Sequence, residues 1–274
     1  MTTLPSIAII GAGSMGGAIL GGLLSPEVTV DGGIRVTNRT EAKAALVRHP
    51  GVESFALETD ADANLLAVTG ARVVLIGVKP AMVADTLAEI APALEPDAIV
   101  VSVAAGVTTA TMEAIVPGSV LRAMPNTPAL VGRAVTGLSS GARSTTEDLA
   151  IATSVFETVG TVVEVPESQI DALSTVSGSG PAYVFLIVEE FTRAAVGLGF
   201  TQEQAGLLVS ETFAGAMQLL AASGQSPEEL RRQVTSPKGT TERAIAVLQD
   251  ADLESLFARA TAAALARARE LAAG

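Results

Sequence analysis

Apolar and polar positions alternate along residues 1–165 in a way that predicts strands and helices in turn. Short β-branched runs, apolar on both faces, predict covered strands, and the amphipathic stretches between them predict helices. The predicted strands are residues 7–10, 34–37, 73–78, 99–103, 120–122 and 162–165, with 135–139 as a further strand that need not be parallel. The predicted helices are residues 15–24, 41–48, 61–69, 82–90, 108–115 and 147–159. This alternation is typical of an α/β fold with a Rossmann-like doubly wound sheet.

The strand pattern ends at Pro166, and the remaining sequence predicts helices alone. These helices are residues 170–175, 182–196, 203–222, 228–233, 241–249 and 253–271. Three helix starts carry the spacing of a capping box: Ser144 with Glu147, Thr201 with Gln204, and Ser226 with Glu229. We therefore predict two domains, a sheet domain over residues 1–166 and an all-helical C-terminal domain over residues 167–274.

The predicted helix at 182–196 is apolar nearly all round, and the helix at 203–222 is broadly apolar. A helix of this kind must be buried on every side. A helical domain of this size has little polar surface with which to cover such helices. Two interpretations stay open, an ordinary core helix and a subunit interface, and we favour the interface.

Composition excludes several classes of function. The 274 residues contain no cysteine and one histidine, His49, which excludes disulfides, thiolate metal sites, a cysteine nucleophile and a cluster of imidazole ligands. We therefore predict no metal site. A net charge of -12 and 3% aromatic residues argue against a nucleic-acid partner.

The sequence carries no signal for export or for a membrane. The N-terminus lacks a basic region and a cleavage site of small residues. The longest wholly apolar run, residues 182–188, is far shorter than the roughly 20 residues of a membrane span. We expect a cytoplasmic protein that acts on a small molecule and has no membrane partner.

A glycine-rich turn follows the first predicted strand and opens the first predicted helix. Its residues are Gly11, Ala12, Gly13, Ser14, Met15 and Gly16. In this position they match the G-x-G-x-x-G dinucleotide fingerprint, in which glycines permit a tight turn and a close approach of the pyrophosphate. The N–H groups at the helix start favour that anion. The alternative is a structural turn without a ligand.

The end of the second predicted strand bears on which cofactor is used. An NAD site has an acid at this point to hold the ribose 2′-OH. Here Asn38 and Arg39 stand between two threonines instead. An amide and a guanidinium suit a 2′-phosphate, so we predict NADPH in preference to NADH. The alternative for Arg39 is that it only flanks the cap of the next helix.

Two further strand ends are predicted to touch the cofactor, because ligands of open α/β sheets lie beyond the carboxyl ends of the strands. One contains Gly77, Val78, Lys79 and Pro80, and the other contains Val103, Ala104 and Ala105. Small residues there leave room for a nicotinamide. Lys79 has two interpretations, a catalytic side chain or a contact through its backbone.

Several longer motifs make the chain resemble the pyrroline-5-carboxylate reductase family. They are Arg122-Ala123-Met124-Pro125-Asn126-Thr127-Pro128, Ser177-Gly178-Ser179-Gly180-Pro181-Ala182-Tyr183 and Val234-Thr235-Ser236-Pro237-Lys238-Gly239-Thr240-Thr241. The resemblance covers essentially the whole chain. It implies NAD(P)H-dependent reduction of 1-pyrroline-5-carboxylate to L-proline, the final step of proline synthesis. It also implies a homodimer through the C-terminal helices, and a decamer in some members.

The resemblance also implies which residues form the site. Those facing the cofactor would be Gly11–Gly16 of the turn, Asn38, Asn64, Gly77, Val78, Lys79, Pro80, Val103, Ala104 and Ala105. Those holding the substrate would be Gly239, Thr240 and Thr241, with Ser177, Gly178, Ser179 and Gly180 nearby. One position departs from the family pattern, since Lys238 stands where a glycine is usual. If the backbone has a positive φ there, the lysine is strained.

The chemistry of such a substrate fits these residues. A cyclic imine needs a hydride at its carbon and a proton at its nitrogen, so no histidine base is required. Gly239, Thr240 and Thr241 begin a predicted helix, whose N–H groups would bind the carboxylate. The Thr241 hydroxyl would contact the ring nitrogen as the catalytic group. Simple capping of the helix is the alternative for both threonines.

Two rival functions stay open at the level of the sequence. One is another NADP-dependent enzyme of β-hydroxyacid dehydrogenase type, with Lys79 as its acid. The other is a protein that binds NADPH without turnover.

Overall fold

The N-terminal part of the computed structural model, which describes residues 1–273, alternates strands with helices. In chain order the strands are β1 (Thr2–Leu4), β2 (Ile7–Ile10), β3 (Val28–Val30), β4 (Ile34–Asn38), β5 (Val52–Ala56), β6 (Val73–Ile76), β7 (Ile99–Ser102), β8 (Ser119–Met124), β9 (Ala134–Ser140) and β10 (Gly160–Glu164). The helices between them are α1 (Ser14–Leu23), α2 (Glu41–Leu46), α3 (Ala63–Val68), α4 (Val83–Ile90), α5 (Thr109–Glu113) and α6 (Thr146–Glu157). Single 3₁₀ turns occupy Pro80–Met82, Ala91–Ala93 and Thr127–Val131.

Eight of these strands form one sheet in the spatial order β10-β9-β8-β7-β6-β2-β4-β5. Neighbouring strands are parallel except for β8 and β9, which are antiparallel. The chain runs outward from β2 through β4 to β5 and then crosses to β6 on the other side of β2. This reversal of strand order confirms the doubly wound fold, and it opens a crevice at the carboxyl ends of β2, β4 and β6.

The predicted strand at 135–139 is confirmed as β9. Its pairing explains why it need not be parallel to both of its neighbours. β9 is antiparallel to β8 on one side and parallel to β10 on the other. Three short strands escaped prediction, namely β1, β3 and β5. β1 and β3 pair only with each other, and β5 forms one edge of the main sheet. Strands in such places need no continuous apolar run, because they are not covered on both faces.

The predicted start of α6 is wrong by one residue. The capping box is formed by Thr145 and Asp148, each of which binds the other's backbone N–H (3.1 Å and 2.9 Å). Ser144 instead donates its hydroxyl to the carbonyl of Val120, 2.7 Å away. Asp148 also accepts a hydrogen bond from Arg72 at 3.0 Å. The contact with Arg72, 76 positions away in the chain, favours an acid at position 148 over one at position 147. The spacing of neighbouring residues gives no sign of this contact.

Helices alone follow Pro166 in the described part of the chain, as the sequence predicts. They are α7 (Glu167–Leu173), α8 (Gly180–Gly197), α9 (Gln202–Ser223), α10 (Pro227–Gln233), α11 (Thr240–Asp250) and α12 (Leu253–Ala273). A π-helical turn, Ser174–Gly178, joins α7 to α8. The predicted capping boxes at Thr201 and Ser226 are both confirmed.

Contacts within the chain separate two units. The first contains Met1–Ser179 and the chain from Ala264 onward, and the second is Gly180–Ala263. α7 belongs to the first unit because it packs on β9, where a Cβ at Gly137 would lie only 2.7 Å from the Leu173 side chain. The predicted boundary at residue 166 stays a prediction, and Gly274, the last residue of the predicted second domain, lies outside the described residues.

The first unit is built around a core on both faces of its sheet. One face buries β-strand side chains such as Ile9 against Phe156 of α6, and the other buries residues such as Ile10 against Leu87 of α4. The second unit has a far smaller buried cluster, formed by Ala195, Ala205 and Val209, with Val188 and Phe213 packed against it.

The apolar helix predicted at 182–196 is therefore not a core helix of the single chain. Along α8 the side chains of Phe185, Leu186 and Phe191 are 67%, 56% and 50% exposed. On α9 those of Leu207 and Met217 are 63% and 61% exposed. Surface of this extent marks a site of association. α9 is also long and apolar enough to cross a membrane by length and composition alone, which is weak evidence by itself.

Candidate functional site

A cleft of about 920 Å³ opens in the first unit at the carboxyl ends of β2, β4 and β6. This is the crevice created by the reversal of strand order. Its lining residues are Ile10, Gly11, Gly13, Thr37, Asn38, Arg39, Thr40, Lys43, Leu57, Glu58, Asn64, Gly77, Val78, Lys79, Met82, Asp85, Thr86 and Glu89. The cleft thus brings together eight of the residues predicted to face a cofactor, namely Gly11, Gly13, Asn38, Arg39, Asn64, Gly77, Val78 and Lys79.

The glycine turn is packed tightly on one side and open on the other. Gly11 has a φ of +87°, and its carbonyl oxygen lies 2.6 Å from where a Cβ of Gly77 would stand. The N–H groups of Gly11 and Ala12 both donate to the carbonyl of Thr37 at the end of β4, at 3.2 Å and 3.0 Å. A Cβ at Gly13, by contrast, would meet no atom within 4 Å. The open side of Gly13 leaves space for a ligand to approach the backbone.

The first turn of α1 follows this open side. Gly13 is its N-cap residue and supplies no side chain to cap the helix. The first N–H groups of a helix have no partner within it, and together with the helix dipole they favour an anion. The geometry is that of a phosphate site.

At the end of β4 the structure places two polar residues with different surroundings. Asn38 is 3% exposed, and its Nδ2 has no hydrogen-bond partner. Arg39 is exposed at the mouth of the cleft, next to Thr40, whose side chain caps α2. Arg39 therefore flanks a cap and also lines the cleft, so both interpretations of this residue stay open. Lys43, one turn into α2, lines the cleft as a second cation.

Asn64 occupies the opposite wall of the same cleft. It is 4% exposed, and its Nδ2 lies 3.1 Å from both carboxylate oxygens of Glu89 on α4. A carboxylate accepts only, so it fixes the amide with its nitrogen towards Glu89. The Oδ1 atom is left without a partner. An unpaired donor at Asn38 and an unpaired acceptor at Asn64 fit a nucleotide, whose hydroxyls and base offer both.

Half of the residues predicted to face the cofactor do not line this cleft: Ala12, Ser14, Met15, Gly16, Pro80, Val103, Ala104 and Ala105. Gly16 lies beneath the turn, since a Cβ there would stand 3.0 Å from the Gly11 carbonyl. Ala104 is 4% exposed, and its N–H donates to Ser102 Oγ.

Sequence reasoning also missed lining residues that belong to no motif. Lys43 comes from α2, and Glu58 follows β5. Met82, Asp85, Thr86 and Glu89 form one face of α4 and the turn before it. Their spacing of three, four and seven residues was the signal that could have found them, because it places them on one helix face. Among the described residues no group of His, Asp and Glu side chains is arranged to hold a metal ion.

The residues between the predicted helices at 170–175 and 182–196 do not form a loop. Ser177 and Gly178 lie in the π-helical turn, which is closed by a hydrogen bond from the Ser179 N–H to the Ser174 carbonyl at 2.9 Å. Gly180 then begins α8. The hydrogen-bonded ring of a π-helical turn is wider than that of an α-helix, so the chain continues from α7 to α8 with only a local bulge. π-Helical turns often mark functional sites.

The segment before α11 has the geometry of a helix start without a side-chain cap. Lys238 has a φ of +62°, which confirms the strained backbone expected there, and its N–H donates to Glu242 Oε2 at 2.9 Å. Gly239 was expected to offer its N–H to a ligand, but that group already donates to the Ser236 carbonyl at 3.0 Å. Thr240 and Thr241 therefore supply the first free N–H groups of the helix.

The predicted site residues are divided between the two units. The cofactor residues and Ser177–Ser179 belong to the first unit, whereas Gly180, Gly239, Thr240 and Thr241 belong to the second. That the two groups meet around one substrate stays a prediction.

Comparisons with known proteins agree with both parts of the chain. Residues 167–271 match the family model described as pyrroline-5-carboxylate reductase dimerisation, and residues 6–106 match NADP oxidoreductase coenzyme F420-dependent. The pyrroline-5-carboxylate reductase of Pseudomonas aeruginosa is 40% identical over 271 residues, covering 98% of this chain and 97% of that protein.

Solved structures give the same result. The pyrroline-5-carboxylate reductase of Coxiella burnetii is 39% identical, with a TM-score of 0.90 and 97% of each chain covered. The pyrroline carboxylate reductase of Plasmodium falciparum, solved with NADP bound, is 22% identical, with a TM-score of 0.81 and coverage of 97% and 98%. At that identity the second structure supports the fold alone.

Proposed function

The chain belongs to the pyrroline-5-carboxylate reductase family, and we propose that it reduces 1-pyrroline-5-carboxylate to L-proline with NAD(P)H, as the final step of proline synthesis. The observation that carries this proposal is the 40% identity to such a reductase over nearly the whole length of both chains. The cleft in the first unit is lined by Gly11, Gly13, Asn38 and Asn64, which the resemblance assigns to the cofactor. An assay of NADPH oxidation with the pyrroline acid tests the proposal, and a purified protein without turnover would contradict it.

The residues divide the work as follows. When bound, the reduced nicotinamide supplies the hydride that the imine carbon accepts. Gly11, Gly13 and the start of α1 hold the pyrophosphate, and Asn38 and Asn64 take the hydroxyls or the base. The N–H groups of Thr240 and Thr241 bind the substrate carboxylate at the positive end of α11. The hydroxyl of Thr241 orients the ring nitrogen, which takes its proton from water. Holding two reactants in register lowers the barrier by several kcal/mol.

We assign the remaining predicted residues to the same two groups. Ala12, Ser14, Met15, Gly16, Pro80, Val103, Ala104 and Ala105 support or border the cofactor, and Ser177, Gly178, Ser179, Gly180 and Gly239 shape the substrate site. A substitution of Thr241 tests the assignment most directly. Thr241→Val keeps the shape and removes the hydroxyl, so kcat/KM for the imine should fall while the Kd for NADPH stays unchanged. Thr241→Ser is the matched control, and it should retain most of the activity.

NADPH is the cofactor we propose in preference to NADH. Arg39 and Lys43 supply two cations beside the end of β4, and residues 37–40 at that strand end include no acid to hold a ribose hydroxyl. Loss of one charged hydrogen bond costs about 1.5–3 kcal/mol, which is a factor of roughly ten to a hundred. Arg39→Ala should therefore raise the KM for NADPH by about that factor and leave the KM for NADH nearly unchanged. Equal changes for both cofactors would contradict the assignment.

The two rival functions are not favoured by the comparisons. The relatives that match along the full chain carry the name of pyrroline-5-carboxylate reductase. Lys79 lines the cleft and so has access to a cofactor. Lys79→Met should nevertheless keep its kcat, because imine reduction needs no lysine acid. A loss of kcat with an unchanged KM for NADPH would restore the dehydrogenase alternative.

The C-terminal part of the chain is a dimerisation domain by its family match. We propose that the exposed apolar faces of α8 and α9 pair in a homodimer, and that dimers assemble further into a decamer. The apolar surface of α9 is then covered by protein and not by a membrane. We propose a cytoplasmic enzyme without a nucleic-acid partner, in keeping with a net charge of -12.

A further inference from the structure

We propose that Arg122 and Asn126 are positioning residues of the substrate site, because they hold the π-helical turn that carries Ser177. Arg122 belongs to β8, and Asn126 follows that strand. The proposal rests on the proposed function, which assigns Ser177 and its neighbours to the substrate. It concerns two side chains that have no assigned part in binding or catalysis.

Arg122 fixes α7 against the sheet just before the turn. It is 2% exposed, and its Nη2 lies 2.6 Å from Asp171 Oδ1. Its Nη1 lies 3.8 Å from Glu167 Oε1. Ser174, the first residue of the π-helical turn, donates its hydroxyl to the Asp171 carbonyl at 2.7 Å. The arginine therefore sets the position of the helical turn from which the π-helical turn begins.

Asn126 holds the turn itself. It is 7% exposed, and its Nδ2 donates to the Ser177 carbonyl at 2.8 Å. Its Oδ1 accepts the backbone N–H of Val135 in β9 at 2.9 Å. One buried amide thus connects Ser177 to the sheet through both of its polar ends. Asn126 thus holds the backbone of the turn directly, whereas Arg122 holds the end of α7 just before it.

The same cluster reaches the start of α5, the helix that follows the strand end assigned to the cofactor. The carboxylate of Glu167 accepts the N–H and the hydroxyl of Thr109, at 2.7 Å and 2.6 Å. Thr109 begins α5, a few residues after Val103–Ala105. Glu167, the first residue of α7, therefore connects α7 to the start of α5. A movement of α7 is resisted by α5, and a movement of α5 by α7.

Stability alone gives a poor account of the buried arginine. A buried ion pair seldom stabilises a fold more than well-packed apolar residues would. The Nε atom of Arg122 also has no hydrogen-bond partner, which adds a cost. A role in fixing geometry explains why two buried polar side chains are retained beside one turn.

The test compares three variants of the full-length protein. Arg122→Met removes the ion pairs, and Asn126→Asp removes the donor to Ser177 while keeping the acceptor for Val135. Arg72→Met is the matched control, because it breaks a similar ion pair with buried Asp148 near the opposite, amino-terminal ends of the strands. For each variant we would measure kcat, the KM for the imine, the Kd for NADPH, the melting temperature, and hydrogen exchange of residues 174–179.

We expect the KM for the imine to rise at least tenfold in both site variants, with the Kd for NADPH within twofold of the parent. Exchange of residues 174–179 should accelerate in the same two variants. Arg72→Met should lower the melting temperature while changing neither the KM nor this exchange. If Arg122→Met fails to fold, Asn126→Asp decides alone.

Unchanged exchange and an unchanged KM in Asn126→Asp would overturn the proposal. A parent protein without imine-dependent turnover would instead overturn the proposed function. The exchange data would then still show whether the two side chains hold the turn.

Discussion

The two units of the chain bury their apolar surface in different ways. The first unit covers both faces of a sheet with its own helices, and residues such as Ile9, Phe156 and Leu87 are fully buried. The second unit buries a small cluster around Ala205 and leaves Phe185 and Leu207 more than half exposed. The first unit can be stable within one chain, whereas the second needs a partner surface to cover its helices.

This contrast shows why the helices of the second unit are apolar nearly all round. An amphipathic helix suffices where one face meets solvent, as α4 does in the first unit. Helices that are covered by their own chain on one side and by another chain elsewhere need a wider apolar surface. The family match of this region to a dimerisation domain agrees with that interpretation.

The largest expected change in behaviour is loss of assembly. Phe185→Glu places a charge on the exposed face of α8 and should weaken self-association at least thirtyfold, because a central interface residue contributes roughly 2 kcal/mol or more. Sedimentation velocity over a range of protein concentrations measures it. The matched control is Leu46→Glu, at a site 84% exposed in the first unit, which should leave assembly unchanged. Equal behaviour of the two variants would remove the distinction between the units.

A cavity in the first unit should lower its stability by an amount that does not depend on assembly. Phe156→Ala removes a fully buried ring and should lower the free energy of unfolding by about 3–5 kcal/mol. The loss should be the same at low and high protein concentration in chemical denaturation. Phe185→Ala should instead show a cost that depends on concentration. A concentration-dependent loss in Phe156→Ala would mean that the first unit also relies on assembly.

The acid stability of the two units should differ, because each has a capping box in a different setting. Burial alone would raise the pKa of Asp148, but hydrogen bonds from Thr145 and Arg72 outweigh it and hold that pKa below its ordinary value. Asp148 therefore stabilises the fold above about pH 4, the range of an unfolded aspartate. This contribution is lost as the pH falls through the lower pKa of the folded state.

Asp148→Asn should lower stability near neutral pH by about 1.5–3 kcal/mol and flatten its decline in acid. Glu229 also has a lowered pKa, from hydrogen bonds of the Ser226 backbone and side chain, but it is exposed. Glu229→Gln should thus change the acid profile very little. Thermal melts between pH 2 and pH 7 compare the two variants, and matching profiles would contradict the difference.

The smallest expected effect concerns Lys238, one of two described non-glycine residues of the second unit with a positive φ. Lys238→Gly should relieve a left-handed backbone conformation worth about 1 kcal/mol, partly offset by the greater freedom of glycine in the unfolded chain. Lys238→Ala keeps the strain and serves as control. A melting temperature of Lys238→Gly below that of Lys238→Ala would show that relief of the strain is smaller than the cost of glycine's freedom in the unfolded chain.

Local patterns predicted most of the secondary structure and the centre of the cofactor cleft. The glycine turn, Asn38 and Lys79 could be found because each stands at the end of a buried strand or within three residues beyond it. Asp85 and Glu89 were missed because they come from a helix face that meets the cleft only after the sheet has formed. The π-helical turn was missed because the glycines and serines at 177–180 interrupt the apolar pattern of the two helices beside them.

The sequence by itself determined the order of strands and helices, the doubly wound sheet and the position of the phosphate turn, because hydrophobic periodicity and glycine placement are local properties. The tertiary structure decided the antiparallel pairing of β8 with β9, the cap of α6 on Asp148 and the attachment of Ser177 to Asn126. The cap involves Arg72, and Asn126 lies 51 positions from Ser177, so packing of the fold brings these partners together. The direction of β9 is decided by the sheet, in which it also pairs with β10.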